Sequence, residues 1–314
     1  MAKVAVTGCA GFVGSHLVHR LLEQGHEVTG VDFFLDNYPQ WVKENNMKRF
    51  RDHPSFTWVQ SDLDKMDLIQ LLQGKDYLFH QAALPGVRSS WGKDFQLYVI
   101  HNISVTQKLL EAVKHTGIRK MIYASTSSVY GLTNGPTQED QKLSPFSPYG
   151  VSKLSGEQLC GLYFANYNVP VVMLRYFTVY GPGQRPDMAF HKFLKNMMEN
   201  KEIIVYGDGK QTRDFTYIDD VVNANLLALE HGRNGEAYNI GGSSPVELID
   251  VISLMGKITG KNPILKFERE QYGDPKHTWA DIAKARAELS YDPSVSLEYG
   301  LQQEANYIAS LYGL

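Results

Sequence analysis

Short runs rich in Val, Ile, Tyr and Phe recur through the first half of the chain, at residues 4–7, 27–32, 56–60, 77–81, 120–125 and 171–177, each bounded by Gly, Asp or Pro. Their length and β-branched content predict six parallel strands, and the longer stretches between them predict helices. Between the first two runs, Val13, Leu17 and Leu21 recur every four residues, with Val18 and Leu22 one position over. That is one apolar stripe of a helix facing a sheet, and Gly25 ends it. Regular alternation of strand and helix predicts an α/β fold, a doubly wound parallel sheet covered on both faces. After Tyr180-Gly181-Pro182-Gly183 the alternation weakens and breaks appear at Gly207-Asp208-Gly209 and at 241–245. Residues 1–178 are therefore expected to form the sheet-bearing domain, with segments near 214–241 returning to it, and 179–314 to form mainly a smaller C-terminal lobe.

Composition narrows the function classes. The 314 residues are 43% hydrophobic and 21% charged, a globular balance, and the net charge of −3 offers no basic field for nucleic acid or an anionic membrane. No apolar run approaches the roughly 18 residues of a spanning helix, so no membrane partner is expected. Met1 leads straight into Lys3-Val4-Ala5-Val6 without a signal-peptide core, and a cytoplasmic location is the expectation. Two cysteines, Cys9 and Cys160, make no disulfide framework, and the ten histidines show no metal-binding spacing. Both cysteines are expected to be packing residues, and no metal is expected. His16 and His19 are expected on an exposed helical surface.

The first chemistry lies in Gly8-Cys9-Ala10-Gly11-Phe12-Val13-Gly14, between the first strand and the first helix. Successive amides and the positive end of a helix can hold a pyrophosphate there, as in a Rossmann-type fold. Asp32 ends the second strand 18 residues beyond Gly14, in position to accept from the adenosine ribose hydroxyls and to repel a 2′-phosphate. NAD is expected over NADP. The second lies in Ser147-Pro148-Tyr149-Gly150-Val151-Ser152-Lys153, where Ser147 reads as a helix cap and Pro148 as the first helical residue. Tyr149 and Lys153 then share a helix face. A nearby ammonium and a cationic nicotinamide ring would lower a phenol of ordinary pKa about 10 toward the range of a useful base.

With these motifs the chain resembles the extended short-chain dehydrogenase/reductases that act on nucleotide sugars, nearly along its whole length. The resemblance is carried by the glycine motif, His80-Gln81-Ala82-Ala83, Asn102, residues 125–131, the Tyr149/Lys153 pair, Arg175-Tyr176-Phe177-Thr178, and 213–220. It implies UDP-glucuronate 4-epimerases in particular, on Gly86-Val87-Arg88, on Thr178 and on the segment 185–190 that holds Arg185 and Ala189. For the site the resemblance implies that Thr126 would share a proton relay with Tyr149 and that Lys153 would also reach the nicotinamide ribose. By the same resemblance Asp62 and Leu63 would contact adenine, Ala82 and Ala83 would line the diphosphate side, and Asn102, Ser125 and Tyr176 would belong to the cofactor side. Arg213 would grip the UDP phosphates, Tyr206 would lie against the uracil, and Asp274 would contact a ribose. Gln271 stands where Arg is common, leaving open whether Arg269 touches phosphate. Arg88 either touches substrate or ties down its loop. Ala189 is placed on the substrate side. The resemblance also implies a homodimer, paired through helices such as those over 107–111 and 154–167.

Sister enzymes differ after Thr126. Decarboxylases of this family carry Glu at the position of Ser128, and 4,6-dehydratases carry Asp-Glu at 127–128; here the pair is Ser127-Ser128. The expected reaction is thus C4 epimerisation of UDP-glucuronate to UDP-galacturonate through a transient 4-keto sugar. Ser127, Ser128, Thr178 and Arg185 are the candidate partners of the C6 carboxylate. A UDP-glucose or UDP-N-acetylglucosamine 4-epimerase is the alternative, ahead of a decarboxylase or a net dehydrogenase.

Overall fold

The structure, a computed structural model, describes residues 1–35, 38–270, 273 and 275–314. The first half runs β1 (Lys3–Thr7), α1 (Phe12–Glu23), β2 (Glu27–Asp32), α2 (Gln40–Met47), β3 (Phe56–Gln60), α3 (Leu68–Leu72), β4 (Tyr77–His80), α4 (Phe95–Tyr98), α5 (Val105–Lys114), β5 (Lys120–Thr126), α6 (Pro148–Tyr167) and β6 (Val171–Tyr176). The second runs β7 (Thr178–Tyr180), α7 (Ala189–Met198), β8 (Glu202–Tyr206), β9 (Thr212–Tyr217), α8 (Ile218–His231), β10 (Ala237–Ile240), β11 (Pro245–Glu247), α9 (Leu248–Thr259), β12 (Ile264–Glu268), α10 (Ala283–Leu289) and α11 (Leu297–Tyr312).

The main sheet has seven strands in the order β10-β6-β5-β4-β1-β2-β3, all parallel. The six expected strands are all present. The seventh, β10, comes from the returning segment and is only four residues long, too short to register as a pattern. Alternate side chains enter opposite faces, as a pleated strand requires. Val4 and Val6, Ile122, and Val172 and Leu174 pack on one side. Ala5, Met121 and Tyr123, and Val171 and Met173 pack on the other. Leu17, Val18, Leu21 and Leu22 of α1 join the first of these cores, as their spacing predicts.

Register brings the strand ends level: Thr7 pairs with Val31 and His80, and Thr126 with Tyr176. The loops leaving these ends form one rim, where an open α/β sheet places its ligand. The later residues add a β11-β9-β7 sheet and a β12-β8 pair. Thr178 of β7 pairs with Phe215 of β9, which holds the later strands against the rim.

His16 departs from the exposed surface expected of it. Its side chain is 11% exposed, and Nε2 donates to the Pro182 carbonyl at 2.7 Å, because the loop after β7 folds back over α1. Burial drives its pKa down to about 3. His19 stays partly exposed beside Glu23. Cys9 and Cys160 are buried, and burial pushes both thiols up, as suits packing residues. No helix among the described residues is long and apolar enough to cross a membrane.

Candidate active site

A cleft of about 420 Å³ opens on the rim. Gly8, Gly11, Phe12, Val13 and Gly14 form its floor at the start of α1. Gly8 turns with φ +71°, and a Cβ on it would meet the Ala82 backbone at 2.7 Å; one on Gly14 would meet the Gly8 oxygen at 2.1 Å. The turn therefore needs glycine at both places. Gly11 caps α1 without a side chain, so no side-chain oxygen competes for the first amides of the helix. This is a cradle shaped for a pyrophosphate.

Asp32 is 7% exposed. One oxygen accepts from the Ala10 amide at 3.1 Å, and the other lies 3.5 Å from Lys43 Nζ. Burial raises its pKa, while the Lys43 charge and the Ala10 amide pull it back. Asp62, Leu63, Ala82 and Ala83 line the same cleft. These residues fit a dinucleotide whose ribose meets a carboxylate, the arrangement that favours NAD.

At the other end, Ser147 accepts from Gly150 N at 3.1 Å and starts α6, with Pro148 in its first turn. Tyr149 and Lys153 accordingly reach the cleft together. Burial raises the Tyr149 phenol; a hydrogen bond with Thr126 and the Arg185 charge oppose it. Lys153 is 2% exposed, and its ammonium lies 4.3 Å from the Tyr123 ring centre. Desolvation lowers its pKa to about 8, against the nearby Glu157 carboxylate. Thr126 ends β5 and its oxygen accepts from Ser128 N at 3.2 Å, so Ser127 and Ser128 turn inward in a short 3-10 helix. Beneath them, Ser125 donates to Glu157, whose carboxylate holds Arg175 at 2.8 Å. Ser125, Tyr176, Thr178 and Arg185 complete this part of the wall.

Among the described residues, five of the expected site residues do not line this cleft. Asn102 sits under the wall, 1% exposed, in a π-helical turn over Val99–Ser104. Its amide accepts from Leu84 N at 2.7 Å and donates to Leu84 O at 3.0 Å and Ser152 Oγ at 2.9 Å, so it braces the wall. Arg88, Ala189, Tyr206 and Arg213 lie outside the cleft wall. The Arg88 guanidinium stacks 4.4 Å from the Tyr206 ring centre and so ties its loop to β8. Arg213 donates through Nη1 to the carbonyls of Thr212 and Lys276, at 2.9 and 3.1 Å. Ala189 is the exposed first residue of α7. Asp274 and Gln271 lie outside the described residues.

Sequence reasoning missed Lys43 and Gln81, which both line the cleft. Gln81 donates to Tyr176 and Asn225 at 3.2 and 3.0 Å, contacts across 95 and 144 residues. Its place just past β4, beside the expected Ala82, was the available signal. Lys43 lies on a mixed polar helix with no such marker. Among the described residues no group of three or more His, Cys, Asp or Glu could hold a metal ion.

The sequence pattern of the NAD dependent epimerase/dehydratase family matches residues 4–241. The chain belongs to this family. A relative from Bacillus subtilis, described as an uncharacterized UDP-glucose epimerase, is 47% identical over 99% of this chain and 99% of that protein. A UDP-glucuronate 4-epimerase of Thermodesulfobacterium geofontis is 36% identical over 98% of this chain and 96% of its own length. Among solved structures, the UDP-glucuronic acid 4-epimerase of Bacillus cereus in complex with UDP-glucuronic acid and NAD superposes with a TM-score of 0.96 at 51% identity, covering 99% of this chain and 100% of that one.

Proposed function

We propose that the protein is an NAD-dependent 4-epimerase that interconverts UDP-glucuronate and UDP-galacturonate. The observation that carries this reading is the chemistry of the cleft wall. Among the described residues its only carboxylates are Asp32 and Asp62, at the ends of β2 and β3, while the Tyr149 end carries Thr126, Ser127, Ser128, Thr178 and Arg185. Dehydration needs an acid and a base beside the sugar, and none of these groups supplies a carboxylic acid. Arg185, held by Asp187 through Nε and Nη2, brings a fixed charge and its Nη1 donors to a C6 carboxylate.

Bound NAD supplies the acceptor that takes the C4 hydride and gives it back on the opposite face. Tyr149 takes and returns the O4 proton, with Thr126 in the relay. Lys153 steadies the phenolate and the nicotinamide ribose while it keeps its charge. Serine hydroxyls and Thr178 hold the sugar carboxylate beside Arg185. The smaller lobe holds the nucleotide near Tyr206, with Arg88 and Arg213 supplying positive charge, so binding strength stays away from the ring that must turn.

A second copy of the chain is the partner in this reading. Val151, Gln158 and Leu162 share an outward face of α6, and Val151 and Leu162 are 45% and 56% exposed, a surface a paired helix would cover.

The test of the cofactor part is direct. Denaturing the purified protein should release NAD, since epimerisation returns the same hydride and does not consume cofactor. Release of NADP alone, or turnover only with stoichiometric added cofactor, contradicts the reading.

A further inference from the structure

Tyr98 ends α4 with 1% of its surface exposed, and it touches two parts of the cleft at once. Its ring stands edge-on to that of Tyr149, with centroids 6.3 Å apart and planes at 72°. An edge-to-face pair of this kind is attractive and limits how far either ring can tilt. The Tyr98 hydroxyl lies 3.0 Å from the Pro85 carbonyl oxygen, 3.1 Å from that of Gly86 and 2.8 Å from Ser89 Oγ. A phenol has one proton, so Tyr98 shares it between the two carbonyls and Ser89 donates to the phenol oxygen.

The turn over residues 85–89 is built around this hydroxyl. Gly86 has φ +115°, and a Cβ there would fall 2.3 Å from Ser89 Oγ and 3.4 Å from the Tyr98 oxygen. Any larger residue would displace the hub. Pro85, Gly86 and Val87 wall the cleft, and the next residue, Arg88, stacks on Tyr206 of β8. One buried side chain thus meets the base through its ring and the substrate-side turn through its oxygen.

We infer that Tyr98 is a positioning residue that ties the turn over residues 85–89 to the Tyr149 ring, the hydroxyl setting how the sugar nucleotide seats and the ring setting how the base points. This rests on the 4-epimerase reading and deepens it. The two tasks reside on different atoms, so substitutions can separate them.

The experiment uses the NAD-loaded protein and its Tyr98→Phe, Tyr98→Leu and Ser89→Ala variants, with steady-state kinetics on UDP-glucuronate. Tyr98→Phe keeps the edge contact and deletes the hub. It should raise KM about three- to tenfold, as for one or two neutral hydrogen bonds, with kcat held within about twofold. Ser89→Ala breaks the hub from the other side and should raise KM in the same direction by less, which keeps the test open if Tyr98→Leu does not fold. Tyr98→Leu also removes the ring against Tyr149 and should lower kcat well below that of Tyr98→Phe. A Tyr98→Phe and a Ser89→Ala variant that both keep the wild-type KM overturn the inference, as does a Tyr98→Phe variant whose kcat falls as far as that of Tyr98→Leu. The wild type separates this failure from that of the substrate assignment. If it turns over UDP-glucose and not UDP-glucuronate, the substrate assignment fails, and the same split measured on UDP-glucose decides the role of Tyr98.

Discussion

Arg185 grips Asp187 two residues along the same loop, Nε at 3.0 Å from Oδ1 and Nη2 at 2.9 Å from Oδ2, while lining the cleft that holds Tyr149. The pairing keeps the guanidinium charged and holds Asp187 below the usual carboxylate range despite partial burial. With the Nε–Nη2 edge taken by Asp187, Nη1 is the donor left for a sugar carboxylate, and a guanidinium held in place recognises it at less cost than a mobile one.

Arg185→Ala should therefore lower the preference for UDP-glucuronate over UDP-glucose by about ten- to a hundredfold, the range for a lost hydrogen bond to a charged group. It should also let a 4-keto pentose appear. A carboxylate no longer held can rotate its C5–C6 bond into line with the C4 ketone, which speeds loss of CO2. Competing-substrate assays with product analysis check both outcomes; full selectivity in the variant removes Arg185 from carboxylate recognition.

Tyr149→Phe removes the proton acceptor and almost no volume. The expected loss in kcat is about 10²- to 10⁴-fold, with bound NAD and UDP-sugar affinity retained. Calorimetry beside the rate assay separates the two, and a near-normal kcat places the base elsewhere.

Lys153 gives a pH dependence with a definite sign. In NAD-free protein its pKa is lowered to about 8 from an ordinary value near 10.5. Between these values the unfolded chain binds more protons than the folded one, so this residue's contribution to stability rises with pH, and its burial costs most below pH about 8. Lys153→Met should raise the melting temperature of NAD-free protein at neutral pH, and the gain should shrink toward pH about 10. Equal melting temperatures for variant and wild type across that range contradict the buried ammonium.

Two buried histidines should make the fold sensitive to acid. Burial lowers His16 and His80 to about 3 from 6.5, His80 lying between Thr7 and Thr106 at 2.8 and 3.2 Å. Both bind protons in the unfolded chain first, so stability is present above pH about 6.5 and is lost as pH falls toward about 3. His16→Gln should flatten that loss in acid denaturation curves. An unchanged acid limb would mean that His16 titrates normally.

What could be read in the sequence was what neighbouring residues determine together. The glycine loop, the α1 stripe and the Ser147-Pro148-Tyr149 helix start each lie within a few turns of chain, and local geometry decides them. Four-residue helical spacing alone puts Tyr149 and Lys153 on one face. Contacts made by long-range folding left no such trace. His16 meets Pro182 across 166 residues, and the four-residue β10 is a strand only because β6 is beside it. Asn102 carried a family motif but no sign that its amide would turn onto Leu84. Arg88 meets the Tyr206 ring from a distant part of the chain, and no local pattern showed that contact.

The fate of UDP-glucuronate itself decides the assignment. Purified protein is incubated with UDP-glucuronate and no added cofactor, and the products are identified by NMR. UDP-galacturonate, with the pool approaching a fixed ratio from either substrate and no CO2 released, is the predicted result. A 4-keto pentose as the main product, or no change in UDP-glucuronate while UDP-glucose becomes UDP-galactose, would contradict it.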